Sequence, residues 1–148
     1  MNDSVLDRIK ALFNAVGVSY ELFEHAPVYT SKDAAKIRDT DMSMGAKALV
    51  FYADKHPILL VLPGDKKVNF RKVKHTFGIK DLRMATKEEV TELTGLEVGA
   101  IPPVGQAMRI KSYYDVSIAG KEKVAFNAVV QVDDLLKAEV PIIADFAE

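Results

Sequence analysis

Residues 46–62 read AKALVFYADKHPILLVL, and this stretch is the strongest indication of the fold. Its two apolar runs, residues 46–53 and 58–62, have the length of strands and fall far short of the roughly 18 apolar residues that suggest a membrane span. Residues 54–57 between them have the composition of a turn. The stretch predicts a hairpin, and because its strands are apolar on both faces we expect them at the centre of a sheet.

Helical spacing and capping residues predict helices on both sides of this hairpin. Apolar residues recur at helical spacing over residues 4–16, and Gly17 is a suitable stop. A second amphipathic helix is predicted over residues 69–77, with Asn69 as its N-cap and Gly78 as its end. We expect this helix to turn its basic side chains outward and its apolar ones inward, the apolar ones being Phe70, Val73 and Phe77.

The remaining elements are predicted from shorter patterns. Strands are expected from residue 18 to an end near residues 25–27, and at 82–85, 108–114, 124–130 and 141–146; helices are expected at 30–38, 86–93 and 132–137. Helices and strands mix without a regular βαβ period. We therefore expect one α+β domain over residues 1–148, with a mixed, mostly antiparallel central sheet flanked by helices.

Composition excludes several classes of protein. The chain has 148 residues, of which 49% are hydrophobic and 28% charged, as in an ordinary globular protein with one core. No cysteine is present, which excludes disulfides, thiolate metal sites and cysteine nucleophiles and is compatible with a reducing compartment. The first residues are acidic and lack the basic and apolar regions of a secretion signal. We therefore expect a cytoplasmic protein with no membrane partner.

The charges are unevenly distributed along the chain. The net charge is −1, yet residues 66–87 contain eight lysines and arginines and one acidic residue, Asp81. Such a block is either a solvated helix surface or the footprint of a partner that carries phosphates.

Lys47 is the most informative single residue, because it lies within an apolar strand. Lysine is rarely fully buried, so its ammonium must find an anion, reach solvent at the end of the strand, or lose its proton. One interpretation is a lysine whose head reaches water from the edge of the strand. The other is a lysine in a cleft that holds a substrate phosphate or carboxylate.

The segment from Gly99 to Gly105, GAIPPVG, is too rich in glycine and proline for a helix or strand and predicts a shaped loop. Its two prolines fix φ and remove amide donors, and Gly99 permits a backbone path close to a ligand. The remaining N–H groups, at Gly99, Ala100 and Ile101, can then face a carbonyl or a developing oxyanion. A rigid connection between helix and strand is the structural alternative.

Other common catalytic motifs do not occur. His25, His56 and His75 are scattered without metal-ligand spacing, so we expect no metal. The chain has no G-x-S-x-G, P-loop or G-x-G-x-x-G motif, which argues against a hydrolase triad, a nucleotide triphosphatase and a dinucleotide cofactor. No cofactor is expected.

Four motifs occur in the order of one known family: His25-x-Pro27-x-Tyr29-Thr30, GAKALVF at residues 45–51, LVLPGDKK at residues 60–67, and Gly99-x-x-x-Pro103. Over residues 4–137 the chain resembles the YbaK and prolyl-tRNA synthetase-associated editing domain family. The lysine-bearing strand and the GxxxP loop together carry this resemblance.

The resemblance implies a trans-editing hydrolase that deacylates mischarged aminoacyl-tRNA, typically alanine or cysteine on tRNA for proline. Its partners would be the acceptor end of the aminoacyl-tRNA and an aminoacyl-tRNA synthetase. An aminoacyl ester is already activated, so positioning and electrostatics can carry the catalysis without a nucleophilic side chain or metal. The alternative is a noncatalytic module that binds tRNA or a synthetase and retains the editing fold.

The resemblance also assigns roles to residues. Lys47 matches the functional lysine that would hold a phosphate or other polar groups of the terminal adenosine, and we expect it to face the loop across a shared hollow. Gly99 and Pro103 match the GxxxP loop, which with Ala100 and Ile101 would orient the aminoacyl carbonyl.

Further residues would contact the substrate. Tyr29 and Thr30 match the segment that lines the amino-acid pocket, and Asn127 falls where the family has a small polar residue beside the site. The tRNA backbone would meet four basic residues: Lys66, Lys67, Arg71 and Lys72. The chain departs from the family at Pro102, where serine is common, and at Val129, where relatives frequently have a turn with glycine.

Overall fold

The computed structural model describes residues 5–17, 21–22, 45–97, 99, 101–121, 123–125 and 128–148. Their elements are, in chain order, α1 (Val5–Val16), β1 (Glu21–Leu22), β2 (Ala46–Ala53), β3 (His56–Pro63), α2 (Phe70–Phe77), β4 (Leu82–Met84), α3 (Lys87–Thr94), α4 (Gly105–Met108), β5 (Lys111–Asp115), α5 (Val116–Ala119), β6 (Lys123–Ala125), β7 (Ala128–Gln131), α6 (Val132–Glu139) and β8 (Ile142–Ala144).

A five-stranded mixed sheet forms the centre of the molecule, with strand order β4-β2-β3-β5-β8. β2 pairs antiparallel with both β3 and β4, whereas β3 with β5 and β5 with β8 are parallel pairs. The hairpin of β2 and β3 is central, as the apolar stretch predicts, and the α+β class is confirmed. A smaller antiparallel sheet, β1-β7-β6, was not predicted.

The turn of the central hairpin is shorter than predicted. Asp54 and Lys55 alone form it, both with positive φ of 47° and 74°, while His56 and Pro57 already pair with Ala53 and Tyr52. A two-residue turn with two left-handed residues matches the right-handed twist of the flanking strands. Pro57 is tolerated because β5 pairs with β3 only from Ile58 onward.

The two faces of the central sheet have separate apolar cores. On one face, Phe13 of α1 and Leu135 of α6 belong to the same apolar core as Val50 of β2. On the other face, α2 inserts Val73, which is fully buried with Phe51. The sheet is therefore covered on both sides, which explains why β2 and β3 are apolar at nearly every position.

Helix α2 follows the prediction at both ends but not along its apolar side. The side chain of Asn69 accepts a hydrogen bond from the backbone N–H of Lys72, and Gly78 ends the helix with φ of 66°. Phe70 is 44% exposed rather than buried, and its ring forms a T-shaped pair with the ring of Phe51 at a centroid distance of 5.3 Å.

The three predicted strands nearest the C-terminus have different bounds in the structure. The strand predicted at 108–114 begins at Lys111, because Met108 ends α4 and Arg109 follows in the left-handed region. The strand predicted at 124–130 is two strands, β6 and β7, which pair antiparallel. The strand predicted at 141–146 is limited to β8.

Two helical predictions have different outcomes, and an observed helix was not predicted. The helix predicted at 132–137 continues through α6 to residue 139, and α5, capped by Asp115, was not predicted. The helix predicted at 30–38 lies outside the described residues. Among the helices that the structure describes, none is long and apolar enough to cross a membrane.

Candidate active site

Lys47 lies at the start of β2 and pairs with Leu62 of β3. The chain turns immediately after β3, and this turn is fixed by hydrogen bonds from the N–H of Gly64 to the carbonyl of Gly45 (2.7 Å) and from the N–H of Lys66 to the carbonyl of Pro63 (3.1 Å). The tie between Gly64 and Gly45 joins this turn to the residues that precede Lys47.

The ammonium of Lys47 is half-buried within a mixed charge environment. Burial lowers the pKa of Lys47, the carboxylate of Asp65 opposes that shift, and the positive charge of Lys67 adds to it. Asp65 and Lys67 thus act on the charge of Lys47 in opposite directions. An incoming phosphate or carboxylate would favour the charged form of Lys47, against the effects of burial and of Lys67.

The pleat of β2 decides which way Lys47 points. Side chains alternate along a strand, so Lys47 shares the face of Phe51, which packs with α2. Ile101 and Val104 of the loop pack with the core on the other face. The side chain of Lys47 thus lies on the face opposite to Ile101 and Val104, and the expected hollow between Lys47 and the exposed start of the loop at Gly99 stays a prediction.

The GxxxP loop is exposed at its start and buried at its end. Gly99 is exposed and has a φ of 90°, a conformation that favours glycine. The segment from Ile101 to Gly105 is buried. The carbonyl of Pro103 accepts a hydrogen bond from the hydroxyl of Tyr114, which is fully buried.

A buried carboxylate lies beneath the end of this loop. Glu139, only 3% exposed, accepts hydrogen bonds from the backbone N–H of Gly105 (2.6 Å) and of Gln106 (3.0 Å). Burial raises the pKa of Glu139, although these bonds and one from Ser112 oppose the shift. Sequence reasoning missed Glu139, because an acidic residue near the end of an amphipathic helix looks like an ordinary surface residue.

A cavity of about 230 Å³ adjoins this carboxylate, with Gln106, Ser112 and Ile142 among its lining residues. Lys47 is not among the lining residues. The cavity is therefore distinct from the place where the sequence predicts the substrate.

The four basic residues predicted to meet tRNA differ in their availability. Lys67, Arg71 and Lys72 are exposed, and Lys66 is half-buried. The ammonium of Lys72 lies 3.3 Å from the carboxylate of Asp145. Within the described ranges, no ion pair engages the other three, so they are the better candidates for contact with a phosphate backbone.

Four predicted site residues lie outside the described residues: Tyr29, Thr30, Ala100 and Asn127. In the part of the chain that the structure covers, no group of three histidine, cysteine, aspartate or glutamate side chains is placed to hold a metal ion.

Known proteins similar to this chain include members of an editing-domain family and solved structures with the same fold. The family model described as aminoacyl-tRNA editing domain matches residues 25–137. The multifunctional Ser/Thr-tRNA deacylase ProXp-y of Escherichia coli (strain K12) is 28% identical, with 94% of this chain and 90% of that protein covered. The solved structure of a candidate trans-editing enzyme for prolyl tRNA synthetase is 26% identical, with a TM-score of 0.78 over 100% of this chain and 99% of that chain.

Proline–tRNA ligases are also similar over part of their length. The ligase of Bacillus pumilus (strain SAFR-032) is 37% identical over 97 residues, which are 65% of this chain and 17% of the ligase. This chain thus spans about a sixth of the ligases that it matches. The family model covers well over half of the chain, and the chain belongs to the aminoacyl-tRNA editing domain family.

Proposed function

We propose that this protein is an aminoacyl-tRNA deacylase that acts in trans, releasing a small amino acid such as alanine or cysteine from mischarged tRNA for proline. The observation that carries the proposal is the half-buried ammonium of Lys47, beside Asp65 and Lys67, in a chain of the editing family. A deacylase and a candidate trans-editing enzyme that match nearly end to end support hydrolysis as the activity.

The reaction is hydrolysis of the ester between the amino acid and the terminal ribose. The oxygen of a water molecule bonds to the carbonyl carbon, the bond from that carbon to the ribose oxygen breaks, and the ribose oxygen takes up a proton. This ester is activated before it reaches the protein, so the protein needs to orient the reactants and stabilise the charge that develops on the carbonyl oxygen.

In this scheme Lys47 is a substrate-holding residue. Its ammonium would pair with a phosphate or another polar group of the terminal adenosine, and its half-buried position makes that pairing stronger than it would be in water. The backbone N–H groups of Gly99 and Ile101 are the proposed donors to the aminoacyl carbonyl. Tyr29, Thr30 and Asn127 are proposed to line the pocket for the amino-acid side chain.

The body of the tRNA would lie against the exposed basic residues that follow β3. Lys67 and Arg71 are the main proposed contacts to the tRNA, because their side chains are exposed. Lys72 forms an ion pair with Asp145. Contacts of this kind position the tRNA and weaken as the salt concentration rises.

A panel of charged tRNAs tests the proposal. Release of alanine, cysteine, serine, threonine and proline from their charged tRNAs, tRNA for proline included, is measured with the wild-type protein and with Lys47→Ala. The variant should lose about 30-fold or more in rate, about 2 kcal/mol, while its thermal unfolding stays that of the wild type. Lys10→Ala, which removes a half-buried lysine from α1, is the matched control and should retain the wild-type rate.

Two results would contradict the proposal. Full activity in Lys47→Ala would reject the role of that lysine. Salt-dependent binding of tRNA without turnover of any substrate in the panel would reject the enzyme and favour the noncatalytic module instead.

A further inference from the structure

The end of the GxxxP loop and the helix α4 that follows it are held by hydrogen bonds from three separate elements. From β5, the hydroxyl of Tyr114 donates to the carbonyl of Pro103. From α1, the guanidinium of Arg8 donates to the carbonyl of Ala107 at 3.1 Å. The third and most extensive connection is to Glu139 at the end of α6.

The carboxylate of Glu139 binds two successive backbone amides. One oxygen accepts from the N–H of Gly105 and the other from the N–H of Gln106. The side-chain amide of Gln106 returns two bonds, to the carbonyl of Ala138 at 3.0 Å and to that of Glu139 at 2.6 Å. Four hydrogen bonds thus join the residues immediately after Pro103 to the end of α6.

Close packing keeps this junction from shifting. A Cβ atom on Gly105 would lie 2.3 Å from the backbone oxygen of Ile110 and 3.0 Å from the carboxylate of Glu139. Gly105 therefore lies close to Ile110, just before β5, and to the end of α6, and a larger residue would fit only if this backbone shifted. Any displacement of the loop end would break several of these bonds together.

The charge of Glu139 is costly at this position. The side chain is buried, and among the described residues no cation forms an ion pair with it, so only N–H and O–H donors offset the loss of water. An apolar residue in place of Glu139 would avoid the free-energy cost of removing a carboxylate from water. A buried carboxylate at this position is explained if the loop needs one side chain that accepts hydrogen bonds from the adjacent N–H groups of Gly105 and Gln106.

We infer that Glu139 and Tyr114 are positioning residues for the proposed deacylation, which fix the buried end of the loop so that its exposed start at Gly99 presents backbone N–H groups to the aminoacyl carbonyl in one orientation. This inference rests on the proposed function. Neither side chain touches the substrate in this scheme; both act through the loop.

Two nearly isosteric variants test the inference. Glu139→Gln replaces one acceptor oxygen with a donor that opposes a backbone N–H, and Tyr114→Phe removes only the hydroxyl. Each should lower kcat for deacylation by about tenfold or more, about 1.4 kcal/mol, because the donors to the carbonyl lose their orientation. KM for the charged tRNA should stay within about twofold of wild type, since the tRNA body binds elsewhere.

Matched controls separate positioning from a loss of stability. Tyr113→Phe removes the hydroxyl of the neighbouring tyrosine, which packs in the core on the opposite face. Asp115→Asn alters a second buried carboxylate that accepts hydrogen bonds from backbone N–H groups, those of Ser117, Phe146 and Ala147, away from the loop. Both controls should retain the wild-type kcat when assayed well below the melting temperature of every variant.

Each outcome decides one question. A wild-type kcat in Tyr114→Phe and Glu139→Gln overturns the inference and leaves the proposed function intact. An equal loss of kcat in Asp115→Asn also overturns it, because general destabilisation would then suffice. Absence of turnover by the wild-type protein overturns the proposed function, and the inference with it. If Glu139→Gln does not fold, Tyr114→Phe decides alone.

Discussion

The substitution Asp115→Asn should destabilise the protein by a measurable amount. Asp115 is 2% exposed and caps α5, where one carboxylate oxygen accepts from the N–H of Ser117 at 3.0 Å and from its hydroxyl. The other oxygen accepts from the N–H groups of Phe146 and Ala147, each at 2.8 Å. This one side chain therefore connects β5 to residues 146–147.

The expected loss follows from these four bonds. Asparagine keeps one acceptor oxygen, which can serve Phe146 and Ala147, but places an NH₂ group against the two donors of Ser117. Hydrogen bonds to a charged group contribute about 1.5–3 kcal/mol each, and part of the loss is recovered by small rearrangements. We expect a loss of about 3 kcal/mol, which for a chain of this size lowers Tm by roughly 6–12 °C.

The loss should depend on pH in a defined direction. Burial opposes the charge of Asp115, but the hydrogen bonds from Ser117, Phe146 and Ala147 outweigh it and lower the pKa of the carboxyl. A pKa lower in the folded than in the unfolded state stabilises the fold fully above the ordinary value of about 3.9, and this contribution disappears as the pH falls through the folded value. The difference between wild type and Asp115→Asn should shrink below about pH 4.

Chemical denaturation at several pH values measures both effects. Asp145→Asn is the control, because Asp145 is exposed and its ion pair with Lys72 should contribute less than about 1 kcal/mol. A free energy of unfolding of Asp115→Asn within about 0.5 kcal/mol of wild type at neutral pH would refute the reasoning, since it lies within the range of ordinary surface substitutions. If the difference in free energy of unfolding between wild type and Asp115→Asn did not change with pH, the inferred negative charge on Asp115 would be wrong.

Three further predictions concern packing, capping and tRNA contact. Gly105→Ala should cost about 2–3 kcal/mol in denaturation experiments, because its Cβ would overlap the backbone oxygen of Ile110; a wild-type stability would contradict this packing. Thr86→Ala should cost about 1 kcal/mol, because it removes the capping box with Glu89 at the start of α3; an unchanged melting curve would show that the cap contributes nothing. Arg71→Gln should reduce the slope of log K for tRNA binding against log salt by about 1, and an unaltered slope would remove Arg71 from the tRNA surface.

Features that depend on neighbours in sequence were predictable. The caps of α2 and α3 and the left-handed glycines that end them involve residues three or four positions apart, so the sequence pattern contains both partners. The central hairpin was predictable for a similar reason, since two long apolar runs can be buried only together. The length of its turn was predicted wrongly, because the residue types at 54–57 do not show that β5 pairs with β3 only from Ile58 onward. Pro57 can therefore belong to β3.

For the candidate site too, local features could be predicted from the sequence and contacts between distant residues could not. Lys47 and the GxxxP loop could be selected from their unusual residue types, an ammonium in an apolar strand and prolines beside glycines. The position of Lys47 relative to the loop could not be predicted, because it depends on the face of the central sheet on which each of them lies. Glu139 could not be selected at all, since its contact with Gly105 joins residues 34 positions apart.

The amino-acid sequence by itself determined the α+β class, the central hairpin, the helix ends and the family motifs, because each depends on local periodicity or on residue types that tolerate few conformations. Only the tertiary structure decided that Lys47 shares a face with α2, that Asp65 and Lys67 influence its charge, and that Glu139 and Tyr114 hold the end of the loop. These contacts arise from the packing of distant segments, and the energy that selects them is shared across a whole core and is not visible in any one stretch of the chain.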